Sequence, residues 1–413
     1  MRRWSSLLIV VALVASNARA MSLLSLRYPV GYFYELNSGM SQGMAGPGTA
    51  VRSDNNLMLH NPANLGEVRK TVLSTLFTLE FVNILETATD EYTNHVQLIP
   101  QHVSFGFSLG RVGALAASFE KRSDADFRWE GPKEVYEEDL NTLRSYEQAL
   151  VRDGGVSTWA VGWGYPIGKW ARLGLAYERS YVSLLESRRL ILSGDFTSLS
   201  VDTSRVVFSG NGLRAGVIVP VWNLSLGLSG EYFFPASAVY KDWSYVGSPA
   251  NQTSDSVTSE DFSLRLPPSL SAGVAWQIDP RWLAAVDMDF TFWGEYYSEQ
   301  VLLSGPLRTT ALSFSLGGEF IPSPDELTPA YWETMPFRAG FRFAQLPTTE
   351  AFEYGFSLGV GLPFPIGGGL LDVNLEYGRR HDSAYPDYTE EVLRIGFGIN
   401  GGRKWHKAPQ GTY

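Results

Sequence analysis

The chain contains no cysteine among its 413 residues. An exported chain of this kind has no disulfide staples and no Cys-ligated metal, so packing and hydrogen bonds must hold the fold. Also missing is any uncharged apolar run of the roughly 20 residues that a membrane helix needs. Few stretches place apolar residues at the i, i+3, i+4 spacing of an amphipathic helix, so a helical membrane protein is excluded. Basic residues are in deficit, with 33 Lys and Arg against 43 Asp and Glu and a formal net charge of -10. Such a chain repels phosphate backbones, and no nucleic-acid partner is expected.

Histidine is scarce too: the five are His60, His95, His102, His381 and His406. Neither a zinc spacing nor a phosphate-binding loop appears, so no metal site and no cofactor are expected. His381-Asp382-Ser383 has the letters of a catalytic triad, but adjacent residues on one loop seldom reach each other's hydrogen-bonding atoms. No catalytic residue is assigned and the protein is not expected to be an enzyme. Asp387, Glu390 and Glu391 could gather a surface cation; a solvated loop is the plainer reading.

What is present begins with a secretory signal. Arg2 and Arg3 precede an apolar run from Leu7 to Ala15, and Ala18 and Ala20 fit an A-x-A cleavage site. A signal peptide over 1–20 is expected, with the mature chain starting near Met21. An N-terminal anchor is the alternative, but the run is too short to span a bilayer. Cleavage would remove Arg2, Arg3 and Arg19 and no acid, taking the net charge of -10 to about -13.

The rest of the chain alternates. Side chains on a strand point to opposite faces in turn, so a membrane barrel reads apolar outward and polar or small inward. Trp222, Leu224, Leu226, Leu228, Tyr232 and Phe234 oppose Ser225, Gly227, Ser229 and Glu231. Trp282, Ala284, Val286, Met288, Phe290 and Phe292 oppose Asp287, Asp289 and Thr291. The same rule orders Phe337 to Phe343, Leu371 to Tyr377 and Leu393 to Ile399. From Trp282 to Phe292 the strand would climb roughly 24 Å when tilted by about 45°, matching an apolar band of roughly 25 Å with an aromatic at each edge. A soluble β-sandwich or propeller also alternates, but it has no aromatic girdle.

These signals predict an all-β, antiparallel transmembrane barrel over 71–405 in the bacterial outer membrane, with outer-membrane lipid around it. About fourteen strands are expected, starting near Val72, Val103, Val112, Ser157, Ala171, Ser204, Leu224, Phe262, Leu283, Thr309, Phe337, Glu353, Gly369 and Val392. Short turns mark the periplasmic end. By parity the segments 87–100, 122–155, 189–203, 243–260, 303–308, 345–352 and 381–390 face outward, and Glu137 to Arg152 is read as a short surface helix. The long connection Ile321 to Met335 falls on the periplasmic side against the pattern. Charges on the inward parity are Glu120, Glu178, Glu231, Asp287, Asp289, Arg338, Arg342, Asp372, Glu376 and Arg394. They form either a paired network that rigidifies the lumen or, at Arg338, Arg342 and Arg394, a substrate path that meets a ligand carboxylate.

Residues 21–70 do not alternate. Gly39, Gly43, Gly46 and Gly48 permit tight turns, Asn61-Pro62 followed by Ala63 is turn chemistry, and Leu57, Met58, Leu59 and Leu65 offer something to bury. This segment is expected to be a hatch inside the lumen. Its order, a Gly-rich stretch, then Asp54, then Asn61-Pro62-Ala63, resembles the FadL-like family of outer-membrane long-chain fatty-acid transporters. The stretch from Leu264 to Trp293, with Leu266-Pro267 before a strand and an Asp279-Pro280-Arg281 turn, is similar as well. The resemblance implies a fourteen-stranded barrel plugged by its hatch that passes hydrophobic small molecules without an energy source. The chain departs from that pattern at its end, where Gly401-Gly402-Arg403-Lys404-Trp405 is followed by a tail over 406–413. This ending resembles the PorV-like branch, which implies a secretion-system protein partner instead of lipid uptake.

Overall fold

The computed structural model describes residues 30–35, 38–57, 59–86, 91–137, 142–192, 198–248, 251–295, 308–324, 328–348, 350–364, 369–383 and 388–403. The signal peptide, Met58, Trp405, His406 and the tail lie outside them. The segment after Val30 contributes β1 (Tyr32–Phe33), the short helix α1 (Gly39–Gly43) and a 3-10 turn over Pro62–Glu67. The wall follows as β2 (Thr71–Glu86), β3 (Glu91–Ser108), β4 (Ala114–Lys121), β6 (Phe127–Glu137), β7 (Thr142–Ile167), β8 (Ala171–Leu192) and β9 (Ser198–Val221), with β5 (Ser123–Asp124), which lies outside the wall sheet, between β4 and β6 in the chain. It continues with β10 (Leu224–Phe233), β11 (Ala236–Ser248), β12 (Asn251–Leu264), β13 (Ser269–Gln277), β14 (Trp282–Thr291) and β15 (Ala311–Phe320). Last come β16 (Phe337–Gln345), β17 (Ala351–Pro363), β18 (Gly369–Asp382) and β19 (Tyr388–Arg403).

Every wall pairing is antiparallel, and β19 returns to pair with β2 from Tyr388↔Glu86 to Arg403↔Thr71, which closes the sheet. Three wall strands are interrupted: β4 with β6, β10 with β11, and β12 with β13 are each two pieces of one strand. Counted that way, the barrel has 14 strands. Closure matters because an open edge in hydrocarbon would leave backbone groups unsatisfied.

Alternation sets which face meets lipid. Along β7, Trp159, Val161, Trp163 and Tyr165 are exposed while Thr158 and Ala160 are buried; along β8, Leu173, Leu175 and Tyr177 are exposed while Ala176, Glu178 and Ser180 are buried. Such a one-sided apolar exterior would aggregate in water and is stable only in a bilayer. Aromatic side chains mark the periplasmic rim at Trp170, Trp222, Trp282 and Tyr331–Trp332, where their amphipathic rings suit the headgroup level. The Val221–Leu224 hairpin leaves two residues for its turn, and Trp222 takes φ 54 there, 96% exposed. A two-residue hairpin turn demands that left-handed backbone.

The strands are very unequal. β7, β8 and β9 have 26, 22 and 24 residues, whereas β14, β15 and β16 have 10, 10 and 9. Ten residues suffice to cross the apolar band, so the long strands continue beyond it as an upright sheet on one side. The described parts of the expected outward loops 87–100, 122–155, 189–203 and 243–260 are therefore mostly strand. Nor do the described residues of the Glu137 to Arg152 segment form a helix: Leu143 pairs with Tyr136 and Leu150 with Trp129 in the β6–β7 ladder. A short helix is marginal in water, and the ladder to β8 offers this segment partners on its other side as well. The periplasmic connection 321–335 is long because it folds back on the wall. Ser323 N donates to Glu333 O at 3.0 Å, and the Tyr331 hydroxyl donates to Pro363 O at 2.9 Å.

Candidate functional site: the lumen and the break in its wall

Backbone contact between residues 38–68 and the inner wall depends on missing side chains. A Cβ at Gly174 would stand 2.1 Å from Pro62 C, one at Gly216 2.0 Å from Asn61 Oδ1, and one at Gly340 2.0 Å from Met44 O. These wall glycines lie on the inward parity, and each leaves the space that the inner segment fills.

The residues singled out between Gly39 and Ala63 have distinct places. Ser38 caps α1, and Gly39 O accepts from Asn374 Nδ2 at 2.8 Å. Gly43 abuts Asn374 and Arg338, and Gly46 takes φ +126 beside Glu35. Gly48 N and Thr49 N both donate to Asp287 Oδ2 at 2.7 Å. Asn61 caps the turn over Pro62–Glu67, accepting from Ala63 N at 3.0 Å and donating to Thr49 O at 2.7 Å. Pro62 and Ala63 are buried, whereas Asp54 stays half exposed 3.6 Å from Lys70.

Around and beyond this layer, ion pairs line the inner wall, mostly between neighbouring strands. Arg338 holds Glu319 at 2.7 Å and Asp372 at 2.5 Å. Arg394 reaches Glu80 and Glu376, both at 2.6 Å, and Glu353 at 3.2 Å. Arg342 pairs with Glu353 and lies 3.1 Å from Glu35 and 3.5 Å from Glu376. Arg380 joins the same group through Glu353 at 2.7 Å and Glu390 at 3.3 Å. On the opposite wall, Arg214 pairs with Glu178 and Glu231, both at 2.8 Å, and Arg122 is bound to Glu231 by two hydrogen bonds. Charges this far from water are tolerable only when paired.

Sequence reading missed Tyr32, Glu35, Glu80, Arg122, Arg214, Glu353 and Arg380. Arg214 had a signal, since it alternates with Leu213 and Ala215; Tyr32 had none.

Arg342, but neither Arg338 nor Arg394, borders a cavity of about 170 Å³. Phe33, Pro267, Trp293, Leu312 and Leu346 form its apolar side, and Glu35, His60, Asp289, Arg122, Arg214 and Glu231 its polar side. His60 Nε2 lies 3.1 Å from Asp289 Oδ1. Burial alone would lower the imidazole, but the bond and charge of Asp289 outweigh it and hold His60 above its ordinary value. Burial raises the Glu35 carboxyl, with the Arg342 charge acting the other way.

Beside this cavity the third wall strand is broken. β4 ends at Lys121, β6 starts at Phe127, and the residues between turn inward so that β5 pairs with β1, Tyr32↔Asp124 and Phe33↔Ser123. On the β7 side the wall stays sealed: Arg122 N donates to Val156 O at 2.8 Å, Ala125 N to Gly154 O at 3.0 Å, and Gly154 N to Asp126 Oδ1 at 2.8 Å. Positive φ at Gly154 and Gly155 lets β7 bend to meet them. On the β3 side the ladder with β4 runs only from His102↔Glu120 to Ser108↔Ala114. Among the described residues no ladder joins β3 above His102 to β6. The inside of the break is covered by an N-terminal arm, residues 30–35, with Val30 packed among Ala125, Val156, Val182 and Phe208.

Similarity to known proteins agrees with this geometry. Among solved structures, the chain is similar to a Pseudomonas aeruginosa FadL homologue, with TM-score 0.62 and 14% identity over 90% of this chain and 99% of that one. It is similar to the CymD monoaromatic hydrocarbon channel, with TM-score 0.60 and 15% identity over 91% and 100%. A third is the Ralstonia pickettii toluene transporter TbuX, with TM-score 0.57 and 15% identity over 89% and 98%. At these identities the likeness is one of fold, and it agrees with a FadL-like outer-membrane barrel. No curated protein matches the sequence. The closed barrel and its apolar belt place the protein in the bacterial outer membrane. Residues 4–407 match one family description, spanning the inner segment and all of the wall, and the chain belongs to the BamG family.

Proposed function

We propose that the protein is a passive outer-membrane conduit for hydrophobic compounds, long-chain fatty acids and single-ring hydrocarbons among them. In this reading residues 21–70, after removal of a signal peptide over 1–20, are a hatch that blocks the axial route, with Gly39, Gly43, Gly46, Gly48, Asp54, Asn61, Pro62 and Ala63 shaping its turns. A greasy molecule enters from outside, rests in the cavity and leaves sideways through the break between β3 and β6 into the membrane. The observation that carries the reading is the interrupted third strand lying next to a cavity. Solved proteins of the same fold are described as a monoaromatic hydrocarbon channel and a toluene transporter, which supports it. Arg338 and Arg394, held by carboxylates, act as structural ties in this scheme, and of the three arginines Arg342 alone meets the substrate path. Liposomes containing the protein should take up toluene faster than protein-free liposomes; equal rates would defeat the reading.

A second reading, a secretion-associated barrel of the PorV-like kind, is favoured by the upright sheet of β6 to β9, which rises well beyond what crossing the apolar band needs. It calls for a protein partner recovered by crosslinking from intact cells, with no dependence of uptake on the barrel.

A further inference from the structure

We infer that the outward face of β8, β9, β11 and β12 holds the phosphorylated headgroup of an outer-leaflet glycolipid. This face lies on the outside of the wall, so its occupant is independent of what the lumen conducts.

Height is the first observation. Arg179 on β8 stands opposite Asn211 on β9, about ten residues above the periplasmic turn that follows Val221. At roughly 3.3 Å per residue and a tilt of about 45°, that level lies roughly 23 Å up, near the outer edge of an apolar band of roughly 25 Å. Arg205 on β9 and Lys241 on β11 lie roughly 14 Å higher. Between the two levels Tyr181, Ser183, Ser237 and Ser263 expose their hydroxyl-bearing side chains on the same parity. A lone glycerol-linked phosphate reaches only the lower level, whereas cations at two levels with hydroxyls between them suit a sugar headgroup that carries anions at both ends.

Charge is the second. Arg205 and Lys241 are direct cross-strand neighbours, and both are exposed. Like charges directly opposite each other destabilise a sheet, and among the described residues no carboxylate lies within ion-pair distance of either. An anion bridging them removes that repulsion. Arg179 is held by neutral acceptors, with Nη1 donating to Asn211 Oδ1 and Nη2 to Ser209 Oγ, both at 2.7 Å. Its guanidinium is thereby fixed in direction while its charge stays unmatched. Asp261, opposite Val239, is the one carboxylate among the described side chains on the outward parity of these four strands. Across the barrel the outward charges are matched within the wall, where Arg379 of β18 faces Glu391 of β19. Basic side chains at a membrane surface attract anionic headgroups, and phosphate offers a guanidinium paired acceptor oxygens. The chain as a whole is acidic, with a formal net charge of -10, so this basic face is a local feature.

The probe is fluorescently labelled rough-type lipopolysaccharide, titrated with the purified full chain in detergent and competed with its enzymatically dephosphorylated form or with phosphatidylglycerol. Wild type should bind the intact glycolipid about tenfold or more tightly than either competitor. Arg179→Gln and the double variant Arg205→Gln/Lys241→Gln should each weaken that binding by about tenfold, and Arg379→Gln should leave it unchanged. Arg205→Lys, which keeps the charge, should retain most of it. Heat-modifiable gel migration verifies that each variant is folded. Equal competition by the dephosphorylated glycolipid or by phosphatidylglycerol would overturn the inference, as would unchanged binding in the folded Arg179 or Arg205/Lys241 variants. An equal loss in Arg379→Gln, or no saturable binding by wild type, would overturn it too.

Discussion

The Tyr32 hydroxyl donates a 2.6 Å hydrogen bond to Glu353, a residue 321 positions away on β17, and the Arg380 guanidinium lies 3.8 Å from the centroid of the same ring. The arm that covers the wall break is thus tied to the wall on the far side of the lumen. Removing the hydroxyl should loosen it. A hydrogen bond to a charged group contributes about 1.5–3 kcal/mol, so Tyr32→Phe should lower stability by about that much in detergent unfolding. Wild-type stability in that variant would show that the arm is not held through its hydroxyl.

The wall glycines make a separate prediction. Valine at Gly174 or Gly216 would collide with the backbone of Pro62 or the side chain of Asn61. Because strands otherwise accept valine well, the barrel should still form while residues 61–63 are pushed from their seat. Planar-bilayer recordings should then show larger ion conductance for Gly174→Val than for wild type. Unchanged conductance would mean that this contact does not close the lumen.

Asn61 serves two partners at once, capping Pro62–Glu67 and bonding Thr49 O. Loss of a capping side chain costs about 1 kcal/mol. Asn61→Ala should therefore lower the unfolding midpoint and raise conductance together, and a stability loss without any leak would confine Asn61 to local turn formation.

His60 gives the pH dependence. Its folded value is raised by Asp289, so its stabilisation is fully present below the unfolded histidine value, roughly 6.5, and is lost as pH rises through the folded value. Asp287 acts in the same direction and Arg214 against it. Wild type should thus lose stability relative to His60→Gln between mildly acidic and mildly alkaline pH. Parallel stability curves for the two proteins over that window would contradict the assignment.

The parts of the fold that meet lipid were legible in the sequence. Around β10 and β14 hydrocarbon on one side and a polar lumen on the other impose a strict period of two, and all fourteen expected starts fall in or next to wall strands in the right order. Above the membrane neither face meets hydrocarbon, so the alternation fades; Asn251 to Ser256 is polar throughout yet forms part of β12. That is why Glu137 to Arg152 reads as a surface helix, and the tall sheet as loops, in the sequence. The site shows the same division. Arg338, Arg342 and Arg394 were visible by parity, but parity cannot tell which carboxylates, on strands far apart in sequence, neutralise them. Tyr32, Phe33 and Glu35 lie in a segment without any period, and nothing local announces that it pairs with Ser123–Asp124.

That pairing allows the most direct test. Phe33 and Ser123 are opposite partners in an antiparallel pair, close enough for a disulfide after substitution, and the natural chain has no cysteine to interfere. Phe33→Cys/Ser123→Cys protein in liposomes would be assayed for toluene uptake when oxidised and again after reduction. If molecules leave through the break that the arm covers, oxidation should abolish most of the uptake and reduction should restore it. Equal uptake in the two states, with the disulfide verified by mass spectrometry, would contradict the lateral route.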